Sequence, residues 1–289
     1  MIIIENEIIK AAIHPKGAEL VSLFHKANEL EYMWSADPAF WGKTSPVLFP
    51  IIGSVKDDIF FYEGKKYTLP RHGFAREKMF EVEKQTNDSV TFLLKCDNAS
   101  LVVYPFWFEL RLHYSLKGNQ LKVSYEVKNK DEKTMYFSVG GHPAFQVPLV
   151  DSTSYEDYYL EFDETEDLNR WPLSEEGLVK TAAESLLPDT NHLPLTKELF
   201  YQDALVFKHL KSSKVTLKSD KNEHQLAFSY EGFPFLGIWA AKGADFVCIE
   251  PWCGIADAVD HNQELTEKEG INALDAGDTF TRAWFVEIS

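Results

Sequence analysis

Short runs of alternating apolar and polar residues follow one another along most of the chain. The clearest are segments 108–116 and 121–127, which alternate without a break on either side of a Gly118-Asn119 turn. A period of two places the apolar side chains on one face of a strand. The pattern therefore predicts antiparallel strands with one buried face and one solvated face.

Similar patterns predict further strands along the chain. They lie at 2–4, 8–13, 18–25, 59–62, 66–69, 80–82, 90–94, 135–139, 158–162, 204–208, 214–217, 225–230, 236–240 and 280–288. Only 195–201 and 263–269 have a helical pattern, and both are short. Segment 31–49 is rich in aromatic residues without a sustained period, which favours a long packed loop, and the acidic stretch 161–166 predicts a surface loop.

No Pro/Gly/Ser-rich linker, internal repeat or low-complexity tract divides these strands. Many strands with few helices between them favour an all-β fold, a large antiparallel β-sandwich. We expect residues 1–289 to form one domain, because all-β domains often reach this length whole.

One predicted strand carries a carboxylate that needs an explanation. In the stretch from Asp245 to Ala258, alternation puts Glu250 on the same face as Phe246, Cys248 and Trp252. Burial among aromatic rings raises a carboxyl pKa towards the range useful for proton transfer. Pro251 lacks an N–H, so we expect strand pairing to stop there. The competing interpretation is a structural Glu paired with a Lys or Arg.

Two histidines lie in glycine-containing loops. His72 stands between Arg71 and Arg76 in the segment 69–76, and His142 follows two glycines and precedes a proline in 139–145. Side chains in such loops are free to serve a ligand, and paired glycines permit close approach. The competing interpretation of each is a hydrogen-bonded loop residue without a catalytic role.

Charge and cysteine content narrow the function classes. The formal net charge is −16, and no Lys/Arg run offsets it, which disfavours nucleic acid and anionic membranes as partners. Hydrophobic residues make up 45% of the chain, ample for a core. The three cysteines, no signal-peptide pattern and no apolar run long enough to span a bilayer predict a soluble cytoplasmic protein.

Motifs for other chemistries are weak or absent. His72, His142 and Glu250 have suitable ligand types for a metal centre, but they lack the short spacing of metal-binding pairs. The sequence contains no Gly-x-Ser-x-Gly elbow, phosphate loop or dinucleotide fingerprint. We therefore expect no metal and no cofactor.

Five ordered segments resemble the aldose 1-epimerase (galactose mutarotase) family, and within it the LacX-type subgroup most. The segments are Ser45-Pro-Val-Leu-Phe-Pro-Ile-Ile-Gly53, Leu69-Pro-Arg-His-Gly-Phe-Ala-Arg76, Tyr104-Pro-Phe106, Gly140-Gly-His-Pro-Ala-Phe145 and Ile249-Glu-Pro-Trp252. The resemblance implies a β-supersandwich with a sugar-binding concave face. It also implies interconversion of the α and β anomers of a free aldose, such as galactose or glucose.

The resemblance assigns roles to individual residues. Glu250 matches the family's general base, His142 its general acid, His72 the histidine on the ring-oxygen side, and Asp203 the substrate-binding aspartate. Trp252 is a candidate to cover the apolar face of the ring.

The chain departs from the family after Gly53. Where mutarotases commonly supply an Arg, it has Ser54 and then Lys56. Lys56 or Arg76 is a candidate replacement. Two alternatives remain open: the same chemistry on a hexose phosphate held by Arg71, Arg76 and Lys56, or a sugar-binding protein without turnover. The sequence does not indicate the oligomeric state.

Overall fold

Strands account for about half of the structure, a computed structural model that describes all 289 residues. The strands are β1 Ile2–Glu5, β2 Ile9–His14, β3 Glu19–His25, β4 Leu30–Glu31, β5 Val47–Leu48, β6 Ile59–Tyr62, β7 Lys65–Thr68, β8 Glu81–Gln85, β9 Ser89–Lys95, β10 Phe108–Lys117, β11 Gln120–Asn129, β12 Met135–Phe137, β13 Val139–Gly141, β14 Ala144–Gln146, β15 Tyr158–Arg170, β16 Glu184–Pro194, β17 Leu205–Lys208, β18 Lys214–Ser219, β19 Leu226–Ser229, β20 Phe235–Trp239, β21 Phe246–Cys253, β22 Asn272–Leu274 and β23 Thr279–Ile288.

Helical structure is confined to short segments. The α-helix, α1, spans Asn98–Val103, and 3-10 turns lie at Lys56–Asp58, Ala75–Glu77, Tyr155–Asp157, Lys197–Phe200 and Leu265–Glu267. Both helical segments predicted from the sequence shorten to single 3-10 turns. None of the helices has the length and apolar character needed to span a lipid bilayer.

Fifteen strands form one continuous sheet, in the order β5-β13-β21-β20-β17-β15-β18-β19-β23-β11-β10-β9-β8, with β14 added to β21 and β16 to β15. The sheet folds back on itself. Gly141 of β13 lies so close to β11 that a Cβ there would stand 2.7 Å from the Tyr125 hydroxyl, although seven strands separate β13 from β11 in the order. The two halves therefore face each other across a common core, and the predicted all-β antiparallel sandwich is confirmed.

The acidic stretch 161–166 is not a surface loop. It lies within the thirteen-residue strand β15, which pairs with β16 across register shifts. Glu166 is buried and its Oε1 accepts a hydrogen bond from the Ser212 backbone N–H at 2.7 Å. Because this partner lies 46 positions away, the local charge run carried no sign of it.

Strand pairing also continues past Pro251, contrary to the prediction. On one side, β21 pairs with β20 through Glu250, Pro251 and Trp252. The N–H of Ile249 points to the other side, where it donates to the carbonyl of Pro143 at 3.2 Å. Backbone N–H groups two residues apart point to the same side of a strand, so an N–H at Pro251 would point the same way as that of Ile249. On this side β21 changes partner from β14 to β13, and Pro251 lies at the change. His142 occupies the connection between those two strands.

Candidate functional site

Glu250 is held at the centre of strand β21. It is paired with Gly237 of β20 and its side chain is only 2% exposed. The same face carries Trp252, whose ring lies over Gly237 so closely that a Cβ there would stand 2.4 Å from it. Alternation along β21 thus presents both side chains to one cavity, as the sequence predicts.

His142 faces Glu250 from the connection between β13 and β14. Its Nε2 lies 3.4 Å from Glu250 Oε1, and its Nδ1 is buried without a hydrogen-bond partner. Trp41 stacks on the imidazole with ring centroids 4.9 Å apart, and Trp239 meets it edge-on at 5.6 Å. Aromatic packing on two sides fixes the ring, so its orientation towards Glu250 is built in.

His72 lies beside His142, with ring centroids 5.7 Å apart. It occupies a left-handed turn conformation, with φ of +68°, followed by Gly73 at +69°. Its Nδ1 accepts a hydrogen bond from the Gly53 backbone N–H at 3.1 Å. A neutral imidazole that accepts at Nδ1 carries its proton on Nε2. His72 is therefore a hydrogen-bond donor towards the cavity.

Asp203 and two arginines form the more open wall of the site. Asp203 has a φ of +86°, and its Oδ1 accepts from the Ala204 N–H at 2.8 Å. The same oxygen lies 3.6 Å from Arg71 Nη2, a loose ion pair between partly exposed side chains. Arg76 Nη2 donates to the Arg71 carbonyl at 2.9 Å and braces this turn. Asp203 and Arg71, the partners of this loose ion pair, therefore remain able to form hydrogen bonds with a ligand.

These side chains line one cavity of about 510 Å³. The lining residues are Trp41, Ile52, Gly53, Arg71, His72, Arg76, His142, Leu173, Gly177, Val179, Phe200, Asp203, Ala204, Val206, Trp239, Ala240, Ala241, Lys242, Glu250, Trp252, Ile255 and Ala256. All the predicted site residues except Lys56 are among them. The volume suits a small organic ligand.

Lys56 lies outside this cavity, so it cannot supply the missing arginine contact. The backbone N–H of Lys56 donates to the Asp257 carboxylate at 2.9 Å, and this bond holds the Lys56 backbone in place. The Lys56 Nζ donates to the Val259 carbonyl at 2.9 Å. Sequence proximity to Gly53 was a poor guide because the chain turns away after Ser54. Arg71 and Arg76 are the cations that reach the cavity from this side of the sequence.

A buried ion pair supports the wall behind the cavity. Lys268 Nζ lies 2.6 Å from Asp257 Oδ1, and both side chains are 1% exposed. His261 Nδ1 lies 3.2 Å from the other carboxylate oxygen. The Asp257 carbonyl accepts from the Val179 N–H at 2.8 Å, so the pair ties this segment to a strip that lines the cavity.

Burial sets the protonation state of the central pair. It raises the pKa of Glu250 well above 4.5, and the positive charge of Arg71 only partly opposes this. Burial lowers the pKa of His142 to about 3, and it lowers the pKa of His72 well below 6.5. Burial therefore favours the neutral form of all three groups and places the proton of the pair on the Glu250 carboxyl rather than on the His142 imidazole. This order is the reverse of the usual one for a carboxyl and an imidazole.

Cys248 is the third potential metal ligand next to the pair. Single ligand atoms of His142, Cys248 and Glu250 lie within 4.8 Å of one another. Burial raises the pKa of the Cys248 thiol well above 9.0, as it raises that of Glu250. Metal binding would have to displace both protons. The cluster is therefore better suited to proton transfer than to holding a cation.

Sequence reasoning missed Trp41, Trp239 and Lys242 as cavity residues. Trp239 pairs with Cys248 across β20 and β21, which places it on the face of Glu250. That signal was available once the two strands were assigned as neighbours. Trp41 comes from the loop 31–49, where the absence of a period left no indication of which aromatic ring faces the cavity.

Comparison with known proteins supports one family. Residues 1–271 match the family model described as aldose 1-epimerase. The plasmid-encoded Protein LacX of Lactococcus lactis subsp. lactis is 35% identical over 295 residues, covering 99% of this chain and 98% of the relative.

Two solved structures have the same fold. A galactose mutarotase related enzyme from Lactobacillus acidophilus is 39% identical, with a TM-score of 0.95 over 100% of this chain and 97% of its own. A galactose mutarotase-like protein from Lactobacillus casei ATCC 334 is 34% identical, with a TM-score of 0.94 and full coverage of both chains, 100% each. With the match to the family model, these similarities show that the chain belongs to the aldose 1-epimerase family.

Proposed function

We propose that this protein interconverts the α and β anomers of a free hexose by acid–base opening and closure of the sugar ring. The observation that carries the proposal is the Glu250–His142 pair, 3.4 Å apart and facing a cavity of about 510 Å³. Anomer exchange needs a base for the C1 hydroxyl and an acid for the ring oxygen at the same time. A carboxylate and an imidazolium that face each other at this distance supply both.

The reaction balances with a single shared proton. In the reactive arrangement Glu250 is a carboxylate and His142 an imidazolium. Glu250 takes the proton of the C1 hydroxyl while His142 donates to the ring oxygen, and the bond between C1 and the ring oxygen breaks to give the aldehyde. The pair ends with a protonated Glu250 and a neutral His142, the arrangement that burial favours. Rotation about C1–C2 and the reverse transfers close the ring on the other face.

We assign sugar binding to other residues of the cavity. His72 donates from Nε2, which fits a contact on the ring-oxygen side, and Asp203 accepts from sugar hydroxyls. Trp252, Trp41 and Trp239 offer apolar surfaces to the C–H faces of the ring. We also propose that residues 1–289 act as one sugar-binding domain located in the cytoplasm.

Polarimetry tests this proposal directly. Freshly dissolved α-D-glucose and α-D-galactose, and their 6-phosphates, are followed with and without enzyme, after subtraction of the spontaneous rate in the same buffer. We expect acceleration of at least one free hexose. If the wild-type protein binds these sugars and leaves every spontaneous rate unchanged, the alternative of a sugar-binding protein without turnover replaces the enzyme.

A hexose phosphate remains the second candidate because Arg71 and Lys242 line the cavity. A phosphate would form charge-assisted hydrogen bonds with them, and its binding would weaken with added salt. A neutral hexose feels no such screening, so its turnover should depend little on ionic strength. Turnover confined to the phosphorylated sugars, steeply reduced by salt and by Arg71→Ala, would favour this second candidate.

A further inference from the structure

Trp252 and Glu250 stand two residues apart on the same face of β21, and each carries one polar atom without a partner. The indole Nε1 of Trp252 and the Oε2 of Glu250 are both buried, and neither forms a hydrogen bond within the fold. The other carboxyl oxygen, Oε1, is the one that lies 3.4 Å from His142 Nε2. Buried polar groups in folded proteins are nearly always hydrogen-bonded, so two unpaired atoms in one site need an explanation.

Two glycines make room for the indole on the strands that flank β21. Gly140 of β13 pairs with Trp252, and Gly237 of β20 pairs with Glu250. A Cβ at Gly140 would stand 3.0 Å from the Cδ1 atom of the indole, and a Cβ at Gly237 would collide with its Cζ2 and Cη2 atoms. The ring therefore leans back along β21, from the level of residue 252 to the level of residue 250.

The N–H of this ring lies between the two glycine contacts. In an indole, Nε1 joins Cδ1 to Cε2, and Cε2 is bonded to Cζ2, so the edge that carries the N–H crosses the face of β21 beside Glu250. The indole offers a donor and no acceptor, whereas an ionised carboxylate offers acceptors alone. Hydrogen bonds to an ionised acceptor are about twice as strong as those to a neutral one. The two side chains therefore match best after Glu250 has lost its proton.

Charged and titratable groups from four segments face the Glu250 carboxyl. They are His142 from the β13–β14 connection, Cys248 from β21 itself, Asp203 from the segment before β17, and Arg71, His72 and Arg76 from the loop after β7. Burial raises the pKa of Glu250 well above 4.5, Arg71 and the Trp252 indole lower it, and Asp203 raises it. The charge of Arg71 is shared with Asp203, 3.6 Å away. The Trp252 indole is the strong donor that shares a strand with Glu250.

We propose that Trp252 is a positioning residue for anomerisation, whose indole N–H donates to Oε2 of the ionised Glu250 and thereby stabilises and orients the carboxylate. This inference rests on the proposed function and gives Trp252 a part besides its apolar contact with the sugar. Burial makes the carboxylate–imidazolium form of the pair the minor one. A donor that favours ionised Glu250 increases the share of this reactive form, and the rate rises in proportion.

The pH–rate profile of Trp252→Phe tests this role, because phenylalanine keeps an aromatic ring and removes the N–H. We expect the plateau of kcat/KM to fall about 10-fold, the effect typical of a lost hydrogen bond to a charged group. The alkaline limit, set by Glu250, should move to higher pH by about one pH unit for each tenfold loss. The acid limit near pH 3, set by His142, should stay in place. A lower plateau with an unmoved alkaline limit would show a packing effect and refute the positioning role.

Gly237→Ala perturbs the same hydrogen bond without changing the donor. Its Cβ displaces the indole, so we expect the same two changes in the profile as in Trp252→Phe. Trp107→Phe, at a tryptophan that is 51% exposed and does not line the cavity, is the matched control and should keep the wild-type profile. Thermal scans establish that each variant is folded. A wild-type profile in folded Gly237→Ala would contradict the proposed geometry.

Nuclear magnetic resonance on the wild-type protein separates this inference from catalysis. The chain has seven tryptophans, and with isotopically labelled tryptophan the Trp252 indole N–H is identified by its loss in Trp252→Phe. We expect its resonance to shift as Glu250 ionises, with a midpoint well above pH 4.5, and to stay constant in Glu250→Gln. A resonance that does not titrate would refute the inference even if the protein turns over sugars. A titrating resonance without turnover of any sugar would keep the indole–carboxylate hydrogen bond and refute the catalysis.

Discussion

Replacing Glu250 by Gln removes the proposed base while preserving the shape of the side chain. The carboxyl is 2% exposed and 3.4 Å from His142, whereas Asp203, the other carboxylate of the cavity, is assigned to the sugar hydroxyls. General acid–base catalysis contributes roughly 10²–10⁴ in rate. At 1.36 kcal/mol for each factor of ten, this is about 3–5 kcal/mol of transition-state stabilisation. We expect turnover of the preferred hexose to fall by about 10²-fold or more.

Sugar binding should survive the same substitution. Gln keeps a hydrogen-bonding group at this position, and the tryptophan walls and Asp203 are untouched. The assay follows anomerisation by polarimetry and binding by the quenching of intrinsic fluorescence, since Trp41, Trp239 and Trp252 line the cavity. The exposed substitution Glu231→Gln is the matched control. Anomerisation by Glu250→Gln at the wild-type rate would remove this carboxylate from the mechanism.

Three further predictions follow from burial around the site. First, kcat/KM should form a plateau that begins near pH 3, where His142 takes up a second proton, and ends at the raised pKa of Glu250. Both limits belong to the coupled pair, and a pH–rate profile that falls near pH 4.5 would contradict this protonation order. Second, the folded state holds a proton on Glu250 that the unfolded chain releases above pH 4.5, so the free energy of unfolding falls as pH rises from 4.5 to the folded pKa of Glu250. The melting temperature of Glu250→Gln should therefore rise relative to that of the wild type across this range. A constant difference between the two melting temperatures in thermal scans would contradict this prediction. Third, Lys268→Met leaves Asp257 buried without its ammonium partner. Urea titration should show a loss of about 3–5 kcal/mol in the free energy of unfolding. A loss under about 1 kcal/mol would show that His261 and the backbone alone satisfy the carboxylate.

The alternation of apolar and polar residues predicted those parts of the fold that depend on neighbouring positions in the sequence. The β10–β11 hairpin follows from uninterrupted alternation around Gly118, and its register runs from Phe108–Asn129 to Lys117–Gln120. The helix α1 was missed because it has only six residues, although Asp97 and Ser100 form a capping box at its start. The extent of β15 was missed because its acidic run is satisfied by distant partners such as the Ser212 backbone.

The site was predictable where a strand or a motif carries it. Alternation alone placed Glu250 and Trp252 on one face, and the family resemblance selected His142, His72 and Asp203, all of which line the cavity. What the sequence did not indicate is set by tertiary packing. Trp41 reaches the site from a loop without a period, and the continued pairing at Pro251 depends on where β13 gives way to β14.

The wide sequence separation of the paired groups has a consequence for how the site forms during folding. His142 lies in the connection between β13 and β14, and Glu250 lies within β21, 108 positions further along the chain, yet the two side chains meet at 3.4 Å. Contacts between distant positions form late and slowly, because long loops must close before these contacts contribute stability. No contiguous fragment that lacks either segment holds both halves of the proton-transfer pair. Sugar affinity should therefore appear only with the complete native sheet, and bound sugar should in turn stabilise that sheet against unfolding.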